Sequence, residues 1–277
     1  MPTRQKQHEK SGHGQRRRKE ALAMTRSITY TALSGIPLTE PGDDLVGVIA
    51  AGVMSAEIAV ASGDIFVIAQ KIVSKAENRY VYLDDVNPSD RAIELAKTVG
   101  KDPRHIEVVL SESTEVLRAR QNVIIVAHHL GFVMANAGID ESNIEQDRGH
   151  RVLLLPENPD DSCQRLKAGL DRQFGVDVGV IINDSFGRPW RNGVVGVALG
   201  SAGLPALQSM IGKPDLFGRP MQVTEIAVAD ELAAAASLVM GQAAEGQPVI
   251  HVRGFSSRAP INSASALVRA RERDMFR

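Results

Sequence analysis

The stretch that decides the fold runs from Ile181 to Gly203 and reads Ile-Ile-Asn-Asp-Ser-Phe-Gly-Arg-Pro-Trp-Arg-Asn-Gly-Val-Val-Gly-Val-Ala-Leu-Gly-Ser-Ala-Gly. Its first residues complete the apolar run 178–182, which is typical of a buried strand. We interpret the residues that follow as a polar turn at the end of this strand. The side chains that this turn carries are Asp184, Ser185, Arg188 and Arg191.

These four side chains suit two kinds of ligand. The carboxylate of Asp184 and the hydroxyl of Ser185 are oxygen donors of the kind that Mg²⁺ and Mn²⁺ prefer. The guanidinium groups of Arg188 and Arg191 can pair with phosphate or carboxylate oxygens through a planar fork of donors. An Asp-capped turn before a glycine-rich strand explains the same residues without any ligand. Spacing alone leaves both interpretations open.

A second polar segment, from Asn136 to Asn143, repeats this arrangement. It reads Asn-Ala-Gly-Ile-Asp-Glu-Ser-Asn, so a predicted strand again ends in glycine and then in a carboxylate, Asp140. If the two strands are neighbours, Asp140 and Asp184 converge, and a divalent ion can offset the repulsion between them. The alternative is that Asp140 only caps a turn.

Two further segments have the composition of phosphate-binding loops. Lys71 and Lys75 follow the apolar strand 64–69 in a segment that we interpret as a polar loop, residues 70–77, where they can act as point charges on phosphates. A solvated lysine face is the alternative. Residues 240–247 form a glycine-containing loop after a helix, suited to close approach of a nucleotide or simply to a helix C-cap.

Composition limits the class of protein. Of the 277 residues, 43% are hydrophobic, which allows a substantial core, and Cys163 is the only cysteine, which excludes an intramolecular disulfide. No apolar run approaches the roughly 20 residues of a membrane helix, and the aromatic content of 4% argues against a nucleic-acid stacking surface. We therefore expect a soluble, cytoplasmic protein that does not bind a membrane. Nucleic acid is also not an expected partner.

Charge is distributed unevenly along the chain. Residues 1–26 carry eight Lys or Arg against two Glu, a net +6, whereas the remainder carries −7. This head lacks the apolar region of a secretory signal. We interpret it as a disordered tail, and the alternative is a tether to RNA or another anionic surface.

The order of predicted elements indicates an α+β fold with mixed, largely antiparallel sheets and flanking helices. No Rossmann fingerprint and no P-loop motif occurs. We predict a body over residues 27–255, as one unit or two subdomains, and a C-terminal helix or tail over 256–277. Predicted helices cover 44–61, 88–100, 103–111, 159–174, 228–240 and 265–276, and predicted strands cover 28–33, 64–69, 115–120, 123–127, 132–136, 176–183 and 249–252.

Taken in order, these segments resemble the coenzyme F420:L-glutamate ligase family, also known as F420-0:gamma-glutamyl ligases. The resemblance spans about residues 28–255, and the order of its motifs is more specific than any one of them. The motifs are Gly35-Ile-Pro-Leu, Ile72-Val-Ser-Lys-Ala-Glu77, Asn136 to Asn143, Asp184-Ser-Phe-Gly-Arg-Pro-Trp-Arg191, Ile211-Gly-Lys-Pro-Asp-Leu-Phe-Gly-Arg219, Ala229-Asp-Glu-Leu232 and Met240-Gly-Gln242.

The resemblance implies a set of ligand-binding residues. The implied GTP-binding residues are Ile36, Pro37, Leu38, Thr39, Gln70, Lys71, Lys75, Asn143, Met240, Gly241, Gln242, Ala243, Ala244, Glu245, Gly246 and Gln247. The implied ligands for two divalent ions, Mg²⁺ or Mn²⁺, are Asp140, Asp184, Ser185 and Gln242. Gln242 stands where some relatives are expected to carry Glu, and a neutral amide oxygen binds a metal more weakly than a carboxylate. A monovalent cation is a further cofactor that the resemblance allows.

The resemblance also implies a reaction and its partners. GTP would phosphorylate the lactyl carboxylate of coenzyme F420-0, and L-glutamate would attack the acyl phosphate to form an amide, with further γ-linked glutamates as an extension. We assign catalytic roles to Lys75, Arg188 and Arg191, the arginines as a clamp inferred from the motif. Family members are expected to be intertwined homodimers. The alternative function is a deazaflavin-binding protein that forms no bond.

Overall fold

A computed structural model describes residues 26–146 and 149–275 of the chain. The basic head therefore lies outside the described residues except for Arg26. The helices are α1 (Leu45–Ser55), α2 (Gln70–Ala76), α3 (Asp90–Val99), α4 (Pro103–Ser111), α5 (Pro159–Phe174) and α6 (Val228–Met240). The strands are β1 (Thr29–Ala32), β2 (Ile65–Ala69), β3 (Tyr80–Tyr82), β4 (Ser113–Arg120), β5 (Val123–His128), β6 (Val133–Ala135), β7 (Arg151–Leu153), β8 (Gly179–Arg188), β9 (Arg191–Ala202), β10 (Leu207–Ser209), β11 (Glu225–Ala227) and β12 (Val249–Arg253).

A five-stranded sheet with helices on both faces forms the main body. Its strand order is β1-β12-β2-β8-β9, and every neighbouring pair is antiparallel except β2 with β8. The continuous apolar sequence of β2 is explained by burial on both faces. Phe66 and Ile68 pack in the core that contains residues of α1 and α5, whereas Ile65 and Val67 pack in the core that contains residues of α6.

A smaller antiparallel sheet, β4-β5-β6, forms a second lobe together with α3 and α4. Its separate core includes Val99, Ile106, Ile124 and Val126, all fully buried. The three short strands predicted over residues 115–136 are thus confirmed, and so is their antiparallel pairing. The two-stranded sheet β3-β7 and the pair β10-β11 complete the strands, and the predicted α+β class is confirmed.

Several helix ends lie where the sequence predicts them. Asp102 caps α4 through its side chain, with Pro103 as the first helical residue. Gly100 and Gly175 end α3 and α5 in the left-handed conformation that favours glycine, with φ of 73° and 69°. The start of α3 differs from the prediction, because Ser89 is the N-cap and Pro88 precedes it.

Three predicted elements are wrong. Residues 70–77 are predicted as a loop, yet 70–76 form α2, because Ile72 and Val73 are buried against the main core. Helix α1 stops at Ser55, six residues early, because Glu57 adopts a positive φ of 53°. Within the predicted helix 265–276, the residues up to 275 form no α-helix and contain only short 3₁₀ turns, at Ala264–Leu267 and Arg271–Arg273, since the charged sequence offers no apolar stripe to bury. Phe276 lies outside the described residues.

The strand of the opening motif also extends further than predicted. Strand β8 continues through Arg188, so residues 184–188 are paired with β9 and do not form a turn. The turn lies at Pro189 and Trp190, and Trp190 has a positive φ of 59°. Within the described residues, no helix is long and apolar enough to cross a membrane.

Candidate active site

The parallel pair β2 and β8 brings two of the predicted ligand-binding segments together. Ala69 is paired with Asn183, so both strands end their shared ladder at the same edge of the sheet. Helix α2 starts directly after Ala69 and carries Lys71 and Lys75 one turn apart. Asp184 follows Asn183. The lysines and this carboxylate therefore lie at one edge because of a strand pairing that no local motif encodes.

Asp140 reaches the same place from the second lobe. It follows a turn in which Asn136, Ala137 and Gly138 all have positive φ, between 52° and 67°. A left-handed conformation costs a residue with a Cβ about 1 kcal/mol. Asp140 then exchanges two backbone hydrogen bonds with Leu153 on β7, at 2.9 and 3.0 Å. The backbone of Asp140 is thus fixed from both sides.

Asp140 and Asp184 were expected to converge if their strands were neighbours. β6 and β8 belong to different sheets, but they are neighbours through side-chain packing. The Phe132 ring, just before β6, lies 6.4 Å from the Phe186 ring of β8, and Met134 of β6 packs in the main core. Asp140 lies close enough to Asp184 for its charge to help raise the pKa of Asp184. The acidic pair forms across the junction between the two lobes.

Electrostatics at the site favour a bound cation beside the acidic pair. Burial, followed by the charge of Asp140, raises the pKa of Asp184 to about 6. Burial also raises the pKa of Asp140, although Lys71 and Lys75 oppose this shift. A divalent ion would offset the repulsion between the two carboxylates, so these residues suit a divalent metal.

The two lysines point at the loop that carries Asp140. Lys71 Nζ lies 3.4 Å from Asp140 Oδ1 and donates to the carbonyl oxygen and the hydroxyl of Ser142, at 3.0 and 3.1 Å. Lys75 Nζ donates to the carbonyl oxygen of Asn143 at 3.0 Å. Burial, with the charges of Lys71 and Arg151, lowers the pKa of Lys75. This clustering of cations is an arrangement that favours an anionic ligand.

The loop after α6 closes the other side of the site. The side-chain amide of Asn143 donates to the carbonyl oxygen of Ala243 at 3.2 Å, and that of Gln242 donates to the hydroxyl of Ser185 at 3.1 Å. Backbone N–H groups of this loop also hold the carboxylate of Glu245. The backbone N–H of Ala243 donates to the Glu245 carboxylate at 2.8 Å, and this bond, with other backbone donors of the loop, lowers the pKa of Glu245.

The predicted GTP-binding residues outside this cluster have different surroundings. Gln70 is buried, and its amide donates to Ser74 Oγ at 2.8 Å and to the Leu154 carbonyl oxygen at 3.4 Å. In the predicted loop 36–39, Ile36 packs against the main core, Leu38 is 87% exposed and Thr39 is buried. The segment after this loop adjoins α2, because the backbone N–H of Gly42 donates to the Ala76 carbonyl oxygen at 2.9 Å, and the charge of Glu40 acts on Lys75.

Arg188 and Arg191 lie away from the acidic pair. They face each other across the base of the turn between β8 and β9, and both are exposed. Arg188 is four residues beyond Asp184, about 13 Å along an extended strand. The interpretation that one turn delivers these arginines together with Asp184 is therefore wrong for a single chain, because the segment between them is strand. Their clamp role stays a prediction.

Sequence reasoning missed three residues that support the site. Arg151 is buried on β7 with its guanidinium 4.2 Å from the centre of the Tyr80 ring, and its charge acts on Lys75. Ser142 accepts from Lys71. Asn183 donates to Ser237 of α6 at 3.1 Å and so fixes the helix that leads into the last loop. Only Ser142 and Asn183 lie inside a quoted motif; Arg151 has no local signal.

The donor set for a metal is small. Among residues 26–146 and 149–275, no group of three or more His, Cys, Asp or Glu side chains is placed to hold an ion. A metal at this site would depend on Asp140 and Asp184, with Ser185 and Gln242 as neutral oxygen donors close by. Such a site leaves coordination positions for phosphate oxygens and water, as is usual for Mg²⁺.

Comparison with known proteins places this site in a family of ligases. The family model described as F420-0:Gamma-glutamyl ligase matches residues 35–254. Curated relatives named Coenzyme F420:L-glutamate ligase include one from Methanothermobacter thermautotrophicus, 42% identical over 252 residues, which are 90% of this chain and 99% of the relative. The chain belongs to the F420-0:gamma-glutamyl ligase family, as its motifs predict.

Two further relatives with the same name support this assignment. The protein of Methanopyrus kandleri is 46% identical over 241 residues, 86% of this chain and 92% of its own length. That of Archaeoglobus fulgidus is 40% identical over 245 residues, 88% of this chain and 94% of its own length. The family-model match over residues 35–254 spans both lobes.

Proposed function

We propose that this protein is a GTP-dependent ligase that joins L-glutamate to the lactyl carboxylate of coenzyme F420-0 through an acyl phosphate. The names of its relatives support the two substrates. The observation that carries the proposal is the convergence of Asp140, Asp184, Lys71 and Lys75 from separate parts of the chain. Carboxylates for a cation beside lysines for phosphates are the parts that phosphoryl transfer requires.

The proposed reaction has two steps. A carboxylate oxygen of F420-0 attacks the γ-phosphorus of GTP, the bond to the β-γ bridging oxygen breaks, and GDP leaves. The α-amine of L-glutamate then attacks the acyl carbon, an amide forms, inorganic phosphate leaves and the amine gives up a proton. The net products are the glutamylated coenzyme, GDP and phosphate. Repetition at the γ-carboxylate of the added residue would extend the chain.

The residues of this chain contribute mainly position and charge. Lys71 and Lys75 would hold phosphate oxygens, and the charge of Glu40, beside the predicted loop 36–39, acts on Lys75. Asp140 and Asp184, helped by Ser185 and Gln242, would hold the divalent ions, Mg²⁺ or Mn²⁺, whose charge neutralises the phosphates during transfer. Backbone N–H groups of the loop 241–247 would receive an anionic oxygen where Glu245 now lies.

The assembly and location are part of the same proposal. An intertwined homodimer would give the exposed hairpin tip with Arg188 and Arg191 a partner surface, which a single chain does not provide. The cytoplasm is the proposed location, because GTP and a reduced Cys163 are both expected there. A monovalent cation is kept as an additional cofactor to be tested by ion replacement.

One incubation tests the reaction. Purified protein, F420-0, L-glutamate, GTP and either Mg²⁺ or Mn²⁺ are combined, the coenzyme products are resolved by mass, and GDP is measured. The proposal predicts F420-0 with one or more added glutamyl residues and GDP release that requires both F420-0 and glutamate. Binding of F420-0 without product or GDP release would instead support a non-catalytic deazaflavin-binding protein.

The basic head provides a third possibility, that of an RNA-associated factor. Its net charge of +6 over residues 1–26 would give RNA binding that weakens steeply with salt. Removal of residues 1–23 would abolish such binding. Under the ligase proposal, this truncation leaves glutamate addition at the level of the full chain.

A further inference from the structure

Lys71 contacts the acidic pair directly, in addition to the loop beside it. Its ammonium group lies 3.4 Å from Asp140 Oδ1, and its charge also acts on Asp184. The ammonium group of Lys71 donates hydrogen bonds to the Ser142 carbonyl oxygen and hydroxyl, at 3.0 and 3.1 Å. One lysine therefore supplies positive charge to both carboxylates and ties down the loop that carries one of them.

Lys75 provides a contrast on the same helix. It lies one turn further along α2, and its ammonium group donates to the Asn143 carbonyl oxygen at 3.0 Å. Its charge reaches Asp140 as a smaller contribution than that of Lys71, and it is not among the charges that act on Asp184. Two lysines of the same helix thus differ in their contacts: the ammonium group of Lys71 contacts a carboxylate of the acidic pair, whereas that of Lys75 contacts the loop beside it.

We propose that Lys71 is the protein's own counter-ion for Asp140 and Asp184, and that it exchanges this role for phosphate binding when a divalent ion occupies the pair. The inference rests on the proposed function, because it assigns both the metal and the phosphates to this site. Lys71 competes with the metal before it binds and is released toward the nucleotide afterwards. Metal and nucleotide binding are then coupled through one side chain.

Removing the charge of Lys71 should change the affinities for metal and for nucleotide in opposite directions. A lysine that only supports the loop would not produce this result. Replacing Lys71 by an uncharged residue removes a competitor for the carboxylates, so affinity for Mn²⁺ alone increases. The same change removes a phosphate contact, so affinity for a GTP analogue decreases. A lysine that only supports the loop would lower both affinities together when removed, because the loop would lose its position.

Binding of Mn²⁺ in the absence of nucleotide, measured by titration calorimetry or by the electron paramagnetic resonance signal of free Mn²⁺, tests the inference. Lys71→Met is expected to bind Mn²⁺ on the order of tenfold more tightly than the wild type, since the ion pair with Asp140 no longer has to be broken. Lys71→Arg retains the charge and is expected to bind Mn²⁺ as the wild type does. Lys75→Met is the matched control, with a change below about threefold.

A non-hydrolysable GTP analogue at saturating Mn²⁺ supplies the second measurement. Both methionine variants are expected to bind it on the order of tenfold more weakly than the wild type. Mn²⁺ affinity of Lys71→Met that is equal to or weaker than that of the wild type, in a variant with an unchanged circular dichroism spectrum, overturns the inference. A wild type that binds neither Mn²⁺ nor the analogue contradicts the proposed function instead.

Discussion

Asp184 shows that a buried carboxyl group can lower the stability of a protein. Its pKa is raised to about 6 from an ordinary 3.8, by burial and then by the charge of Asp140. Between about pH 4 and 6 the folded protein retains a proton that the unfolded chain has lost, so stability falls as the pH rises through this range. Above about pH 6 both states are ionised and the full cost persists. A bound cation would remove much of this cost.

Asp184→Asn should therefore stabilise the metal-free protein and abolish its activity. We expect the free energy of unfolding at pH 7.5 to rise by about 1–3 kcal/mol, and the gain to disappear near pH 4, where the wild-type carboxyl is protonated. Glutamate addition should fall at least about a hundredfold. Urea unfolding at both pH values and the product assay measure these effects, and wild-type turnover by the variant would refute the assignment of Asp184.

The Glu245 side chain allows a test of the proposed contact between phosphate and the backbone N–H groups of the loop 241–247. Its carboxylate accepts a hydrogen bond from the backbone N–H of Ala243 in the loop that is proposed to bind GTP. Glu245→Gln should increase the affinity for a GTP analogue by roughly three- to tenfold, because the occupying negative charge is removed. Fluorescence titration measures this, and a weaker affinity would show that the carboxylate itself assists binding. Glu57→Gln, distant in sequence from every site segment, serves as the control.

The hairpin β8-β9 is the element whose structure was hardest to predict from the sequence. Glycines recur in the strand after Asp184, and Gly196 among them faces α6. A Cβ at Gly196 would lie 2.1 Å from Ser237 Oγ and 2.5 Å from the Ala233 carbonyl oxygen. This glycine permits close packing of a helix on a strand, a requirement that the local pattern of glycines could not distinguish from ligand binding.

Two glycines of this hairpin should differ in how much stability is lost on substitution by alanine. Gly196→Ala forces backbone and side-chain atoms apart and should lower the free energy of unfolding by about 2–3 kcal/mol. Gly187→Ala places a Cβ where nothing lies within 4 Å and should change stability by less than about 0.5 kcal/mol. Chemical denaturation measures the free energy of unfolding of both variants. Equal destabilisation would mean that the hairpin does not pack on α6 as described.

Helix α2 illustrates why part of the site could be predicted and part could not. Lys71 and Lys75 were identified from their position after an apolar strand, which is a local signal. Their helical conformation was missed, because the segment is short and polar at most positions and Ile72 and Val73 reveal their burial only in three dimensions. Local pattern thus predicted the residues, and tertiary packing determined their geometry.

The molecule as a whole consists of a main body and a second lobe whose junction forms the site. The order and type of most elements followed from periodicity and capping residues such as Asp102 and Gly175. The junction could not be derived in that way. The pairing of β2 with β8 and the contribution of Asp140 from another sheet join segments more than 40 residues apart, and no local sequence pattern specifies such contacts.

A buried ionic network in the main sheet should govern acid stability of the whole molecule. Burial alone would raise the pKa of Asp64, but hydrogen bonds from Arg253, from the Ala61 N–H and from His251 lower it to about 2. A carboxyl whose folded pKa is depressed contributes stability above its unfolded pKa near 4, and this contribution is lost as the pH falls toward 2.

Asp64→Asn should lower the free energy of unfolding at pH 7 by about 2–3 kcal/mol, because buried His251 and the guanidinium of Arg253 lose their charged partner. The difference from the wild type should shrink as the pH falls from 4 to 2. Asp84→Asn, which removes the exposed partner of Arg104, is the control and should cost less than about 1 kcal/mol. Urea unfolding across this pH range tests both variants, and a constant difference would exclude the carboxylate as its source.

The central claim is that Asp140 and Asp184 hold one divalent ion together beneath a guanine nucleotide. The most direct measurement is a crystal structure with GDP and Mn²⁺, in which anomalous scattering at the manganese absorption edge locates the metal independently of any assumed chemistry. The account predicts an anomalous peak in direct coordination with a carboxylate oxygen of Asp140 and one of Asp184, next to the diphosphate. A bound GDP–Mn²⁺ complex whose metal contacts neither aspartate would contradict it.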